Sequence, residues 1–151
     1  MAAEYLANAE QLVALNSPIL FDASIPCTRG NIYHPDGTGV FILRGNTNNC
    51  FARYQITLNA NISIPTGGAV TPIAVAISEN GETRPTSTAI FTPAAVEVEG
   101  NVTSTAIITV PRGCCFNVAV RYVDATVEDA ATVPTPVIEV QNANLVINRI
   151  A

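Results

Sequence analysis

The sequence predicts an all-β protein, a single jelly-roll-like β-sandwich of about eight to ten antiparallel strands with an N-terminal arm. Two observations carry this prediction. Residues 50–64, CFARYQITLNANISI, alternate between apolar and polar side chains, which is typical of a long strand with one buried face. Turn sequences such as PTGG at 65–68 and Asn80-Gly81 separate this segment from further apolar runs.

The remaining strands are predicted from shorter apolar runs bounded by turn residues. The predicted strands span residues 19–25, 31–34, 39–45, 50–64, 71–80, 102–110, 114–123 and 137–151. Pro85 and Pro93 restrict residues 82–96 to edge or irregular strands, because proline cannot donate a hydrogen bond to a sheet. In the last segment the apolar positions change from even to odd numbers around Gln141-Asn142, which predicts a β-bulge there.

Residues 1–18 are predicted to form the arm, and residues 19–151 the sandwich. The first segment alternates poorly, and residues 2–15 fit a helix as well as an extended arm. This segment holds apolar side chains that would have few partners for burial in an isolated β domain. These side chains are Tyr5, Leu6, Leu12, Val13 and Leu15. We expect them to bind the capsid or another partner, and the arm to order as it binds.

Charge is scarce in this sequence. Charged residues make up 13% of the 151 residues, the net charge is −5, and all seven basic residues are arginine. Nucleic acids and anionic membranes need clustered basic residues, so neither is an expected partner. No stretch reaches the ~20 apolar residues of a membrane span. The outer strand faces carry Thr, Ser, Asn and Gln, which predicts that neighbouring subunits of a homotrimer cover them.

The chain has four cysteines, and Cys114 and Cys115 are adjacent in a predicted strand. Neighbouring side chains in a strand point to opposite faces, so this pair is badly placed to share a metal or to form a disulfide. Cys50 and Cys114 fall on apolar faces and are predicted to be small buried thiols, whereas Cys115 could lie in a subunit interface. Cys27 and Cys50 lack the spacing of a zinc site, so no metal or cofactor is expected.

The remaining reactive side chains do not form a catalytic pattern. His34 is the single histidine and stands in a turn before a proline, where a solvated side chain is expected. Glu97 and Glu99 share a face of a predicted strand, and Glu79 and Glu82 flank a hairpin turn, but neither pair has the spacing of a calcium loop. The glycine-rich turns precede no helix, so they are not phosphate loops. The sequence therefore predicts that the chain is not an enzyme.

Five stretches of the sequence carry a resemblance to a known family. They are ILFDASIPCTRGNIYHPDGTGVFILRG, YQITLNANISIPTGGAVTPIAVAISENGE, TAIFTPAAVE, IITVPRGCC and VQNANLVINRIA. They resemble small proteins encoded beside structural genes in bacteriophages and prophages of gut Firmicutes, which look like head-decoration or head-fibre proteins. The resemblance covers the chain from about residue 12 to the end. The β domain of these proteins is similar to the trimeric jelly rolls of the tumour-necrosis-factor and complement globular-head type.

The resemblance implies a non-enzymatic virion structural protein that is assembled in the cytoplasm of the host bacterium and forms a trimer on the capsid surface. Its expected partners are further copies of itself and the major capsid protein or a neighbouring virion protein. Collagen-like Gly-X-Y stalks are absent, which favours a compact protein set directly on the capsid. The alternative is a receptor- or glycan-binding tip domain of a phage fibre that recognises a host-surface glycan through an exposed Tyr/Phe platform.

Overall fold

The computed structural model describes residues 2–25, 30–125 and 135–151. Cys27 and most of the segment between the predicted strands at 114–123 and 137–151 lie outside these ranges. Within them, the chain forms twelve strands and one short 3-10 turn, and no helix is long and apolar enough to cross a membrane. In chain order the strands are β1 (Ala2–Ala7), β2 (Gln11–Ala14), β3 (Ala23–Ile25), β4 (Ile32–Tyr33), β5 (Phe41–Arg44), β6 (Phe51–Ser63), β7 (Ile73–Glu79), β8 (Glu82–Thr83), β9 (Ala89–Phe91), β10 (Gly100–Pro111), β11 (Cys115–Val123) and β12 (Val137–Arg149).

The strands form two antiparallel sheets that pack against each other. In the larger sheet β10, β6, β12, β1 and β3 lie side by side, and β2 pairs with the first residues of β12. In the smaller sheet the order is β4, β5, β11, β7 and β8, and β9 also pairs with β7. This arrangement confirms the predicted all-β sandwich.

The long strand β6 shows how the sequence pattern produces the core. Its even-numbered side chains, from Ala52 to Ile62, are buried between the sheets, and most of its odd-numbered side chains point outward. β10 and β12 flank β6 and bury Val102, Ile108 and Leu145 in the same layer. Because a buried aliphatic side chain stabilises the fold by roughly 1.5–3 kcal/mol, this alternation fixes which face of the sheet points inward.

The predicted bulge in the last strand is confirmed. The register between β6 and β12 shifts between Val140 and Asn142. As a result, Ile138 and Val140 before the bulge and Ala143 and Leu145 after it are all buried. Without the extra residue, one half of β12 would turn its apolar side chains towards solvent.

Residues 2–14 do not form the predicted arm. β1 lies between β12 and β3, with Ala3 opposite Ile147 and Tyr5 opposite Leu145. The buried side chains of this segment are Ala3, Tyr5, Ala7 and Val13. This segment, which has no local partner in the sequence, is therefore paired with the last strand. The prediction of a separate arm and the alternative prediction of a helix are both wrong for these residues.

Candidate functional site: the outer face of the larger sheet

The outer surface of the larger sheet is formed at its centre by β10, β6 and β12, which run side by side for most of their length. Its side chains are amides, hydroxyls and a few aliphatic groups. We call this surface the polar face, and it comprises Gln55, Thr57, Asn59, Asn61, Asn101, Thr103, Thr105, Ile107, Asn142, Asn144, Val146 and Asn148. None of these residues is charged, although charged side chains border the face: Glu4 on β1 accepts a hydrogen bond from Asn144, and Arg53 lies outward on β6.

The amide side chains of the polar face hydrogen-bond to one another across the strands. Asn101 donates from Nδ2 to Oδ1 of Asn59 at 2.6 Å and to Oδ1 of Asn61 at 3.1 Å. Asn61 in turn donates from Nδ2 to Oδ1 of Asn142 at 2.8 Å. These contacts orient the amides in advance, so another chain can cover them with less loss of side-chain entropy.

Hydroxyl and aliphatic groups occupy the middle of the polar face. Thr57 lies opposite Thr105 on β10 and Val146 on β12, and the two threonine hydroxyl oxygens are 3.4 Å apart. The side chain of Ile107 is 51% exposed nearby. Removing such groups from water costs far less than removing charged groups. The polar face is therefore suited to burial against a further protein surface.

The five residues predicted to bind a partner do not form one surface. Tyr5 and Val13 are buried in the core, and Leu15 packs partly against it. Leu6 is half-buried and lines a depression of about 210 Å³ beside the polar face. Leu12 is 67% exposed. Contact with a capsid protein stays a prediction, and Leu12 is the member of the set that presents the most surface for it.

The cysteines differ from their predicted environment. Cys50 and Cys114 are exposed, as is Cys115, so the prediction of two buried thiols is wrong. Cys50 and Cys114 immediately precede β6 and β11. The alternating pattern of each strand continues to these positions in the sequence, but the core does not reach them. Cys115 opens β11 opposite Arg44, on the smaller sheet and away from the polar face. Within the described ranges these three thiols are free, and no cluster of metal-binding side chains is present.

His34 is a packed side chain and not the solvated one that its turn position predicted. Its ring stacks on Phe41 with the centroids 4.2 Å apart and meets the ring of Tyr5 edge-on at 5.0 Å. Nδ1 lies 2.8 Å from the carbonyl oxygen of Val40, and Nε2 lies 3.1 Å from that of Phe21. The imidazole therefore joins the 34–40 turn to both sheets, which is a structural role.

Four carboxyl groups gather where β12 begins. Glu139 on β12 hydrogen-bonds with Glu10, and Glu97 and Glu99 are close enough for their charges to act on it. Burial, the hydrogen bond to Glu10 and the negative charges of Glu10, Glu97 and Glu99 raise the pKa of Glu139 above its usual value. Glu97 adopts a φ of 62° in a turn, so the strand predicted for Glu97 and Glu99 is wrong.

We expect Glu139→Gln to stabilise the protein at pH 7 and to have no such effect in acid. The pKa of this carboxyl is raised in the folded state, so folding favours the protonated form. This contribution is complete below the unfolded value of about 4.5 and is lost as the pH rises through the raised pKa. Glutamine removes the repulsion, so the free energy of unfolding should rise by a few tenths of a kcal/mol at pH 7.

Urea unfolding at pH 7 and at about pH 3.5 measures this difference. Glu82→Gln is the matched control, because Glu82 is an exposed glutamate on β8, outside the cluster. An equal effect of Glu139→Gln at both pH values would show that charge repulsion is not its cause.

The arrangement of two sheets is shared with known domains. It is similar to the globular domain of a zebrafish complement 1qA protein, with a TM-score of 0.63 and 14% identity over 99% of this chain and 97% of that one. The chain has a jelly-roll fold like those of tumour necrosis factor and complement C1q. It is likewise similar to Eiger TNF from S. frugiperda, with a TM-score of 0.64 and 12% identity over 100% and 92% of the two chains.

A third similar structure is murine APRIL, with a TM-score of 0.51 and 7% identity over 97% of this chain and 98% of that one. The sequence matches no protein-family model and no curated protein. The part of the predicted resemblance that concerns the jelly roll is therefore confirmed, and its phage part stays a prediction. At these identities the likeness establishes the fold, and function has to be inferred from the surface of this chain.

Proposed function

We propose that this chain is a non-enzymatic virion structural protein that assembles as a homotrimer through its polar face and decorates a bacteriophage head. The polar face is the observation that carries the proposal, because it is a broad, uncharged surface in which side-chain amides already bond to each other. The sequence resemblance to head-decoration and head-fibre proteins supports the location on the capsid.

Self-assembly suits this surface for an electrostatic reason. In a symmetric homo-oligomer every copy presents the same residues, so a charge near the symmetry axis faces its own equivalents and repels them. Amide and hydroxyl groups avoid this repulsion and can donate and accept in either direction. Three copies are proposed because the jelly rolls that the sequence resembles are trimeric.

Two exposed apolar side chains support attachment to a capsid protein. Leu12 and Leu20 are exposed large apolar side chains close to the start of β2. Gln11 fixes the backbone of Leu20, since its side chain donates to the carbonyl oxygen and accepts from the amide of that residue, each at 2.9 Å. Exposed apolar side chains such as these are suited to contact with another protein.

The trimer is tested by placing a charge at the centre of the polar face. We expect the wild-type protein to have three times the 15.8 kDa chain mass in light scattering, and Thr57→Lys to be a folded monomer. Thr83→Lys is the matched control, because Thr83 is an exposed threonine on the smaller sheet. It should remain trimeric. A wild-type protein that is a stable monomer at micromolar concentration would contradict the proposed assembly.

The same proteins test attachment when they are added to capsids that lack this chain. We expect electron microscopy to show wild type and Thr83→Lys on the capsid surface, and Thr57→Lys at reduced occupancy, because a monomer offers one contact where a trimer offers three. A trimer that leaves such capsids bare would contradict the decoration role.

The alternative of a glycan-binding fibre tip has less support. In residues 2–25, 30–125 and 135–151 the exposed aromatic side chains are Tyr33 on β4 and Phe51 on β6. They belong to different sheets, and no ring contact joins them. The described part of one chain therefore has no shared aromatic platform through which it could recognise a glycan.

A further inference from the structure

Arginines gather at the end of the sandwich opposite the four glutamates. In the register of the larger sheet, Glu139 lies beside Ser63, whereas Arg149 lies beside Tyr54 at the other end of β6. A depression of about 390 Å³ opens at this second end, between the loop that follows β5 and the turn between β10 and β11. It is lined by Arg44 and Arg112 and by polar and small residues, and none of its lining residues is acidic.

The two arginines that line the depression have unused hydrogen-bond donors. Arg112 has no side-chain partner within the described ranges. Arg44 donates from one nitrogen to the carbonyl oxygen of Gly30 at 3.2 Å and has no carboxylate partner there. Arg149 donates to the carbonyl oxygen of Asn46 at 2.8 Å and so holds one wall in place. Within the described residues no acidic side chain lines the depression, so positive charge is concentrated there although the net charge of the chain is −5.

The backbone beneath the depression is held rigidly. The amide of Gly45 donates to the carbonyl oxygen of Cys114 at 2.8 Å, and the amide of Gly113 donates to the carbonyl oxygen of Gly45 at 3.0 Å. A Cβ atom at Gly45 would lie 2.0 Å from the carbonyl oxygen of Pro111, so only glycine allows the two loops to approach this closely. The end of β5, which carries Arg44, and the turn that carries Arg112 are thus fixed relative to each other.

We propose that this depression binds a tetrahedral oxyanion, the phosphate or sulfate group of a ligand. Guanidinium groups present planar pairs of N–H donors that match such oxyanions, and these charge-assisted hydrogen bonds are stronger than neutral ones. An anion between Arg44 and Arg112 neutralises two like charges and uses donors that the protein leaves open. The site lies at the ends of the strands, so it adds a ligand-binding activity to the assembly surface described above.

Calorimetric titration of the full chain with sodium phosphate and with sodium sulfate tests this site. We expect saturable binding by the wild type and binding at least about tenfold weaker for Arg112→Gln, since a hydrogen bond to a charged group contributes about 1.5–3 kcal/mol. The side chain of Arg112 makes no hydrogen bond or ion pair in the described ranges, so its replacement should not disturb folding. Arg84→Gln is the control: it makes the same change of charge at a residue paired with Glu79, and it should bind like the wild type.

Polyphosphate and dextran sulfate extend the test to oxyanions carried by a polymer. Saturable binding of the free ions that Arg112→Gln weakens supports a site for a single oxyanion group. Binding of the polymers alone, weakened in the same way, supports a site for a polymer-borne group. Equal affinities of Arg112→Gln and Arg84→Gln for every probe, or no saturable binding of any of them, would overturn the proposal.

Discussion

Removal of residues 2–16 is expected to leave a chain that does not fold. The deletion takes β1 out of the interior of the larger sheet and β2 away from the start of β12. It also removes Tyr5 and Val13 from the core, each worth roughly 1.5–3 kcal/mol on burial, from a domain whose total stability is of the order of 5–15 kcal/mol. Circular dichroism of the truncated protein should lack the strand signal of the wild type.

Leu12→Ser is the control for this deletion, because it changes the same segment at an exposed side chain and should keep the fold. An N-terminal arm outside the sandwich would give the opposite result for the truncated protein. If the truncated protein folded and assembled normally, the placement of β1 between β12 and β3 would be incorrect.

Phe41→Ala is expected to lower the free energy of unfolding by about 3–5 kcal/mol. Phe41 is fully buried and lies at the centre of four rings that join the two sheets. Its ring centroid is 4.6 Å from that of Tyr5, 5.4 Å from that of Phe21 and 4.2 Å from that of His34. Truncation leaves a cavity that these rings cannot fill without losing their own contacts.

Urea unfolding of Phe41→Ala against Tyr33→Ala measures this loss. Tyr33 is an aromatic residue of the neighbouring strand whose side chain is 50% exposed, so its removal should cost far less. Similar losses for the two variants would mean that the ring cluster is not a centre of stability.

The sandwich could be predicted because its signals are local in the sequence. The alternation in residues 50–64 arises because one face of a strand is buried, and the burial of side chains along β6 matches this alternation closely. The change of parity at Gln141-Asn142 marks the bulge in β12 for the same reason. Turn residues between apolar runs then separate the strands, whatever their order in the sheets.

The position of the first strand could not be predicted in this way. Ala3 and Ala7 are small apolar residues that suit a helix or a strand, and their partners Ile147 and Ala143 are far away in the sequence. A pairing between distant segments leaves no local pattern. The exposure of Cys114 could not be predicted either, because an alternating pattern shows which face of a strand is apolar but does not show where the core ends.

The two charged sites also could not be predicted from patterns in the sequence. Glu10 and Glu139 come from separate strands or their flanks, and they meet only because β2 pairs with β12. Arg44 and Arg112 are likewise separated in the chain and share a depression because Gly45 allows two loops to touch. The polar face is intermediate: its uncharged outer residues are visible in the alternation of β6, whereas their side-chain hydrogen bonds depend on strand order.

The pairing of β1 with β12 has a consequence for folding during synthesis. β1 leaves the ribosome before the later strands, but a full-length neighbour for it exists only after residues 137–149 have been made. The edge of β6 that β12 will occupy is open for the same period. Unpaired strand edges invite contacts with other unfinished chains, so this topology makes nascent copies vulnerable until translation of β12 is complete. Since β12 also supplies part of the polar face, trimers are expected to form from finished chains and not co-translationally.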